Sequence, residues 1–175
     1  MKKLSKDQIL SLAYGKLCDT TPLKYDCGKL CGAVCCKSGA VASEGESGMR
    51  LLPGEKEYLT GKGFRFSDSE DGVILLCGGK CDRRFRPFMC RIFPYYPRLT
   101  EENGFTRISL RSDPAAFRFC PLAVKQRHLR SSAYFRRNAV HAVRLLLGDE
   151  DMKKDLITLS LFSDNMYELY KKMFD

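Results

Sequence analysis

Cys27-Gly-Lys-Leu-Cys31-Gly-Ala-Val-Cys35-Cys36 is the stretch on which the reading of this chain turns. Its four thiols fall within ten residues, and core packing alone gives no reason to crowd them so. Thiolates at short spacing commonly hold a soft metal ion or an iron–sulfur cluster. A Cys-Gly-x-x unit occurs twice, at Cys27-Gly28 and Cys31-Gly32, and runs into the double cysteine. On a straight helix Cys27, Cys31 and Cys35 would share one face. The glycines argue for turns, because glycine reaches positive φ and lets backbone N–H groups approach a thiolate. The expectation is a turn-rich cluster leading into a short helix.

Working outward, the chain holds nine cysteines in 175 residues. Cys77-Gly-Gly-Lys-Cys81 is a second glycine-containing thiol turn, and Cys90 and Cys120 follow. Set Cys18 aside as a buried helix-end cysteine, and eight thiols remain: Cys27, Cys31, Cys35, Cys36, Cys77, Cys81, Cys90 and Cys120. Four is the number for tetrahedral zinc and for one [2Fe–2S] or [4Fe–4S] cluster. Adjacent Cys35 and Cys36 point in different directions, so one can serve with Cys27 and Cys31 while the other reaches across. Two separate sites and one mixed site both stay open, as do zinc and iron. The Cys-x3-Cys-x2-Cys run of radical S-adenosylmethionine enzymes is absent, because position 34 is valine.

The surroundings read as an ordinary globular protein, 44% apolar and 29% charged. Met1-Lys-Lys-Leu-Ser-Lys-Asp-Gln has no apolar run behind its lysines and is not a secretory signal. No segment approaches the ~20 apolar residues of a membrane span. The expected location is therefore cytoplasmic, where thiols stay reduced, and the odd cysteine count also argues against a disulfide framework.

Ser5 with Gln8 is a capping-box signature for a helix over 5–17, with Ile9, Leu10, Leu12, Ala13 and Leu17 inward. Thr21-Pro22 reads as a short helical start, 37–48 as a loop, Leu51-Leu52 as a strand, and 53–59 as a helix. Strands are expected at 64–66 and 73–76 around Asp68-Ser-Glu-Asp-Gly72. A second hairpin, 95–99 with 105–111, turns at Asn103-Gly104. A helix is expected over 122–147, ended by Gly148. Then 152–174 forms one helix, or two broken at Ser163-Asp164-Asn165, with Leu156, Leu159, Met166, Leu169 and Met173 inward. The fold class is α+β, one domain over 1–175: a cysteine-rich metal-binding centre (about 18–121) with short hairpins, braced by N- and C-terminal helices, the latter at 122–175.

The net charge of +9 permits an acidic partner, nucleic acid among them. Arg83, Arg84, Arg86 and Arg91 crowd the second thiol group beside Phe85, Tyr95 and Tyr96, which suits phosphate contact and base stacking. Arginines beside thiolates have a plainer task, and Arg86 and Arg91 are read first as compensating thiolate charge. His128 starts the helical region, and His141 shares a solvated basic face with Arg130, Tyr134, Arg137 and Arg144.

Arg86-Pro87-Phe-Met-Cys90-Arg91-Ile-Phe93-Pro94, taken with the Cys27–Cys36 cluster, resembles the bacterial cysteine-cluster proteins of the YkgJ type, described as zinc- or iron-chelating. The resemblance spans about Cys27 to Cys120 and implies metal ligation by the same eight cysteines. Flagellin lysine methylases are similar around such a cluster but larger. Three functions follow as expectations. The first is a metal-binding protein holding zinc, iron or an iron–sulfur cluster through eight cysteines. The second is an iron–sulfur-dependent enzyme related to those methylases, with no catalytic residue assignable. The third is a zinc-stabilised nucleic-acid-binding module. Cys77-Gly-Gly-Lys80 is not a phosphate loop, which needs the longer Gly-x4-Gly-Lys-Ser/Thr pattern.

Overall fold

Ser5 caps the first helix, α1 (Lys6–Lys16), through a complete capping box: its hydroxyl accepts from the Gln8 N–H, and the Gln8 side chain accepts from the Ser5 N–H. The computed structural model describes residues 4–37, 48–70, 72–77, 79, 81–124 and 131–174. The loop expected at 37–48 falls almost wholly outside the described residues, as do His128, Leu129 and Arg130.

α1 buries Ile9, Leu10, Ala13 and Tyr14, and Leu17 closes the same face. Leu12, expected inward, is 48% exposed, because helical spacing from Ile9 brings Ala13 round to the core instead. The partner is α7 (Ala133–Leu146), which buries Phe135, Ala139, Ala142, Val143 and Leu146. The single helix expected over 122–147 is corrected. α6 (Pro121–Val124) is short, and α7 starts afresh where Ser132 adopts extended backbone and accepts from the Phe135 N–H. The short helix expected at Thr21-Pro22 does not form either. The Thr21 hydroxyl donates to the carbonyls of Leu23 and Tyr25, both at 2.8 Å, and holds a bend. On α7, His141 and Tyr134 face solvent, as the basic-face reading expected.

Two antiparallel sheets complete the α+β fold. One is three-stranded in the order β1-β3-β2, from β1 (Gly48–Arg50), β2 (Arg65–Ser69) and β3 (Gly72–Leu76). β2 and β3 are the first expected hairpin. The strand expected at Leu51-Leu52 lies just upstream, as β1, and those two leucines are buried beyond its end. Gly48 enters β1 where a Cβ would meet Ile74 at 2.9 Å, so only a bare backbone fits against β3. The other sheet is the second hairpin, β4 (Tyr95–Glu102) and β5 (Phe105–Ser112). Asn103 and Gly104 both take positive φ, +53° and +77°, which suits the two-residue turn.

α8 (Glu150–Phe174) runs unbroken through Ser163-Asp164-Asn165 because those polar residues work against the hairpin. Asp164 accepts from the Tyr96 hydroxyl, from Arg98 Nε at 2.8 Å and from Arg111 at 3.0 Å. The Ser160 hydroxyl accepts from the Leu99 N–H at 2.9 Å. Leu156 is buried and Leu159 partly so, but Leu169, expected inward, is 56% exposed. The Met173 side chain lies outside the described set.

Between the sheets and α1 sits a residue that sequence patterning reads as a solvated helix start. Glu55 opens α4 (Glu55–Leu59) and is fully buried. It accepts from the Leu52 N–H (2.8 Å), the Phe88 N–H (2.7 Å) and the Tyr14 hydroxyl. Burial raises the carboxyl, while these three donors and nearby Arg91 pull it back. Phe88 begins α5 (Phe88–Ile92), the helix that carries Cys90, so the carboxylate ties α1, the end of β1 and a thiol-bearing helix to one point. Glu55→Gln keeps the volume but turns an amide NH2 toward at least one of these donors. It should cost about 1–3 kcal/mol, read as a lowered urea midpoint with an unchanged slope.

Candidate metal centre

Asp26 sets the first thiol group. Its carboxylate accepts from the Gly28 N–H at 3.0 Å and caps α2 (Cys27–Cys31). Gly32 then turns left-handed, φ +63°, and Ala33 follows at +55° before α3 (Val34–Lys37). The cluster is thus two short helices joined by a left-handed pair, rather than turns running into one helix. Gly32 makes the turn that the glycines promised; Gly28 lies inside α2. The reversal breaks the straight-helix face ahead of Cys35 and Cys36. A left-handed alanine costs about 1–2 kcal/mol, which the packing around the cluster must offset.

The second group arrives on three elements. β3 delivers Cys77, the following loop Cys81, and α5 Cys90. Cys120 stands just before α6, buried in a small cluster with Leu23, Ala116, Leu122 and Ala123. A cis Phe93–Pro94 peptide joins α5 to β4. Gly79, at φ +78°, presses against the backbone of Cys36 so closely that a Cβ there would sit 2.8 Å from the Cys36 carbonyl oxygen. The Cys77–Cys81 loop is thereby laid directly on α3.

Two cavities result. Cys27, Cys31, Cys35 and Cys120 line one of about 30 Å³. Cys36, Cys77, Cys81 and Cys90 line another of about 60 Å³, whose other walls include Met49, Leu75, Phe93 and Phe119. Cys35 also borders the second cavity. Phe93 and Phe119 stack at 5.8 Å and cover the thiols with apolar surface. No disulfide links any of the nine cysteines. The donor chemistry, four thiols around each cavity, is that of a zinc or iron–sulfur site. Among the described residues, however, no three His, Cys, Asp or Glu side chains converge closely enough to form a metal site in this arrangement.

Burial dominates the electrostatics. It pushes the Cys27 thiol up to about 11, helped by neighbouring Asp26, Cys31 and Cys120. Burial likewise raises Cys90, with Cys81, Cys36 and Cys77 adding to it, and raises Cys120. Cys36 is the exception. The Cys35 thiol donates to it, and the Arg86 guanidinium lies nearby, so Cys36 is held below the ordinary thiol range while Cys35 keeps its proton. Arg86 also hydrogen-bonds Cys81 and lies close to Cys90. Of the four arginines in this segment, it is the one that faces the second thiol group.

Arg91 is placed differently, and here the expectation is corrected. Its guanidinium donates to the carbonyls of Arg84 and Arg86, both at 2.7 Å, and lies 4.2 Å over the Tyr14 ring. It braces the segment that presents Arg86. The stacking surface expected around it is also reduced, because Tyr96 is fully buried and Tyr95 packs on Phe135. Cys18 is corrected too: it is exposed, not buried, and its thiol donates to the Asp19 carboxylate at 3.1 Å. It borders neither thiol-lined cavity. Asp26 and Glu55 escaped the sequence reading, whereas Gly79 belongs to the glycine-containing thiol turn expected at 77–81. Asp26 carried a local signal, as a capping residue directly before the first cysteine.

Comparison with protein-family models, with curated proteins and with solved structures returns no match. Gly79→Ala should drive the Cys77–Cys81 loop off α3, through both the clash with Cys36 and the positive φ. A loss of about 1–2 kcal/mol and faster alkylation of Cys36 in the native protein, followed by peptide mass spectrometry, are the expected results.

Proposed function

We propose that this chain is a metal-binding protein that chelates zinc or iron, the latter also as an iron–sulfur cluster, through eight cysteines in two sets. Cys27, Cys31, Cys35 and Cys120 form one set; Cys36, Cys77, Cys81 and Cys90 form the other. The observation that carries the reading is the gathering of thiols around two cavities: Cys27, Cys31, Cys35 and Cys120 border one, and Cys36, Cys77, Cys81 and Cys90 border the other, with Cys35 common to both. The likeness of the Arg86–Pro94 segment to YkgJ-type proteins supports it.

The residues have distinct tasks in this reading. The eight cysteines bind once deprotonated, and Cys36 starts nearest to that state. Arg86 balances thiolate charge on the second set. The apolar wall of Met49, Leu75, Phe93 and Phe119 keeps water from that set. Bound metal would link α2, α3, β3, α5 and the turn before α6, and iron–sulfur chemistry would add an electron-carrying centre. A nucleic-acid role draws less support, since Arg91 and Tyr96 are buried. No observation favours a particular reaction.

Anaerobic purification, metal analysis and the visible spectrum test the reading. A brown protein with iron and sulfide, or a colourless one with zinc, is expected. Sub-stoichiometric metal, with all nine thiols titrating freely under native conditions, would overturn it. Cys120→Ser and Cys77→Ser should each remove one centre's metal, and Cys18→Ser none. Joint loss from either of the first two would replace two centres by one shared site. Chelation of the metal should increase hydrogen exchange mainly over 27–37 and 77–90, leaving α1 and α7 protected, because they pack on each other through fully buried Leu10, Ala13, Ala139 and Val143.

A further inference from the structure

A third cavity, of about 210 Å³, also borders the double cysteine and differs in character from the two thiol-lined ones. Beside Cys27, Cys35, Cys36 and Cys90 its lining includes Thr20, Asp26, Lys29 and Arg83, with Arg86 and Arg91. Two buried polar atoms belonging to this lining, Thr20 Oγ1 and Arg86 Nε, have no hydrogen-bond partner among the described residues. Thr20 is only 7% exposed, and leaving such groups unmatched is costly.

The inventory of donors and acceptors is lopsided. Lys29, Arg83 and Arg86 bring only donors and positive charge. Asp26 is the one carboxylate, and it already accepts from the Gly28 N–H. Arg83 is loosely held, at 3.4 Å from the Thr20 carbonyl and 3.7 Å from Asp26, so its fork can turn toward an occupant. Arg91 is spent on the carbonyls of Arg84 and Arg86. Arg86 uses its guanidinium toward Cys81 and also lines this cavity. What this pocket lacks is an acceptor-rich anion. Its volume is many times the roughly 10–15 Å³ that one water needs.

We infer that this cavity binds a small tetrahedral oxyanion of the phosphate class, free or as a small phosphomonoester, held by Arg83, Lys29, Thr20 Oγ1 and Arg86 Nε beside the thiol centre. The arginine forks suit phosphate oxygens, and the hydroxyl supplies a further donor. The oxyanion sits toward Thr20 and Arg83. The inference rests on these polar residues and not on the metal reading.

Isothermal titration of the intact protein with inorganic phosphate, and separately with glycerol 3-phosphate, tests it at low ionic strength. One saturable site per chain is expected, with a higher melting temperature in the ligand. Preference for the ester would identify a phosphorylated metabolite as the occupant; preference for phosphate, the free ion. Thr20→Val and Arg83→Met should each weaken binding by about tenfold. Both should leave the metal content unchanged, and their melting temperatures without phosphate close to that of the parent. The Thr20 hydroxyl has no described partner to lose, and Arg83 is partly exposed, so both variants should fold. Absence of saturable binding by either probe would overturn the inference. So would binding that both variants leave unaltered, which marks diffuse attraction to a basic surface. Metal analysis of the same samples separates this outcome from failure of the metal reading.

Discussion

The buried carboxylate of Glu55 is the constraint on which the rest depends. A fully buried charge is tolerated only when its lone pairs are met, and here the donors come from three places: Tyr14 on α1, the Leu52 N–H beyond β1 and the Phe88 N–H at the start of α5. Tyr14 also lies beneath the Arg91 guanidinium, and Arg91 grips the carbonyls of Arg84 and Arg86. One chain of contacts therefore leads from the helical core to the segment carrying Arg86 and Cys90. The helices and sheets do more than surround the thiols; they set where α5 can stand.

Around the thiols the backbone performs the selection. Gly32 and Ala33 reverse the chain between α2 and α3, and Gly79 allows the Cys77–Cys81 loop to touch the Cys36 carbonyl. Both devices rest on positive φ, which side chains resist. Their effect is that Cys35 reaches the cavity of Cys27, Cys31 and Cys120 as well as the one it shares with Cys36. The same geometry gives the two neighbouring cysteines opposite chemistry, since Cys35 donates its proton toward Cys36 while Arg86 favours the Cys36 thiolate. A double cysteine is thus a junction between two environments and not a doubled ligand.

Positive charge near the thiols is divided by burial. Arg91 is structural, Arg86 faces thiolates, Arg84 pairs with Asp82 in solvent, and Arg83 borders the polar cavity with Thr20. In sequence these four look alike. In the fold each answers a different electrostatic demand.

Local chemistry made much of this legible beforehand. The Ser5 capping box, the Asn103-Gly104 turn and the alternation of both hairpins act through near neighbours, so residue order alone determined them. The eight-thiol set was equally plain, because clustered cysteines have few other uses. Contacts between distant residues were not legible. Ser132 caps a helix that starts afresh at Ala133, Asp164 ties α8 to the second hairpin, and β1 pairs with β3. Glu55 looked like any exposed glutamate until α1 and α5 closed over it. The sequence by itself determined which thiols are clustered along the chain and the local elements that carry them. Only the tertiary structure decided which thiols share a cavity and which arginine faces them, because burial and long-range hydrogen bonding assign those roles.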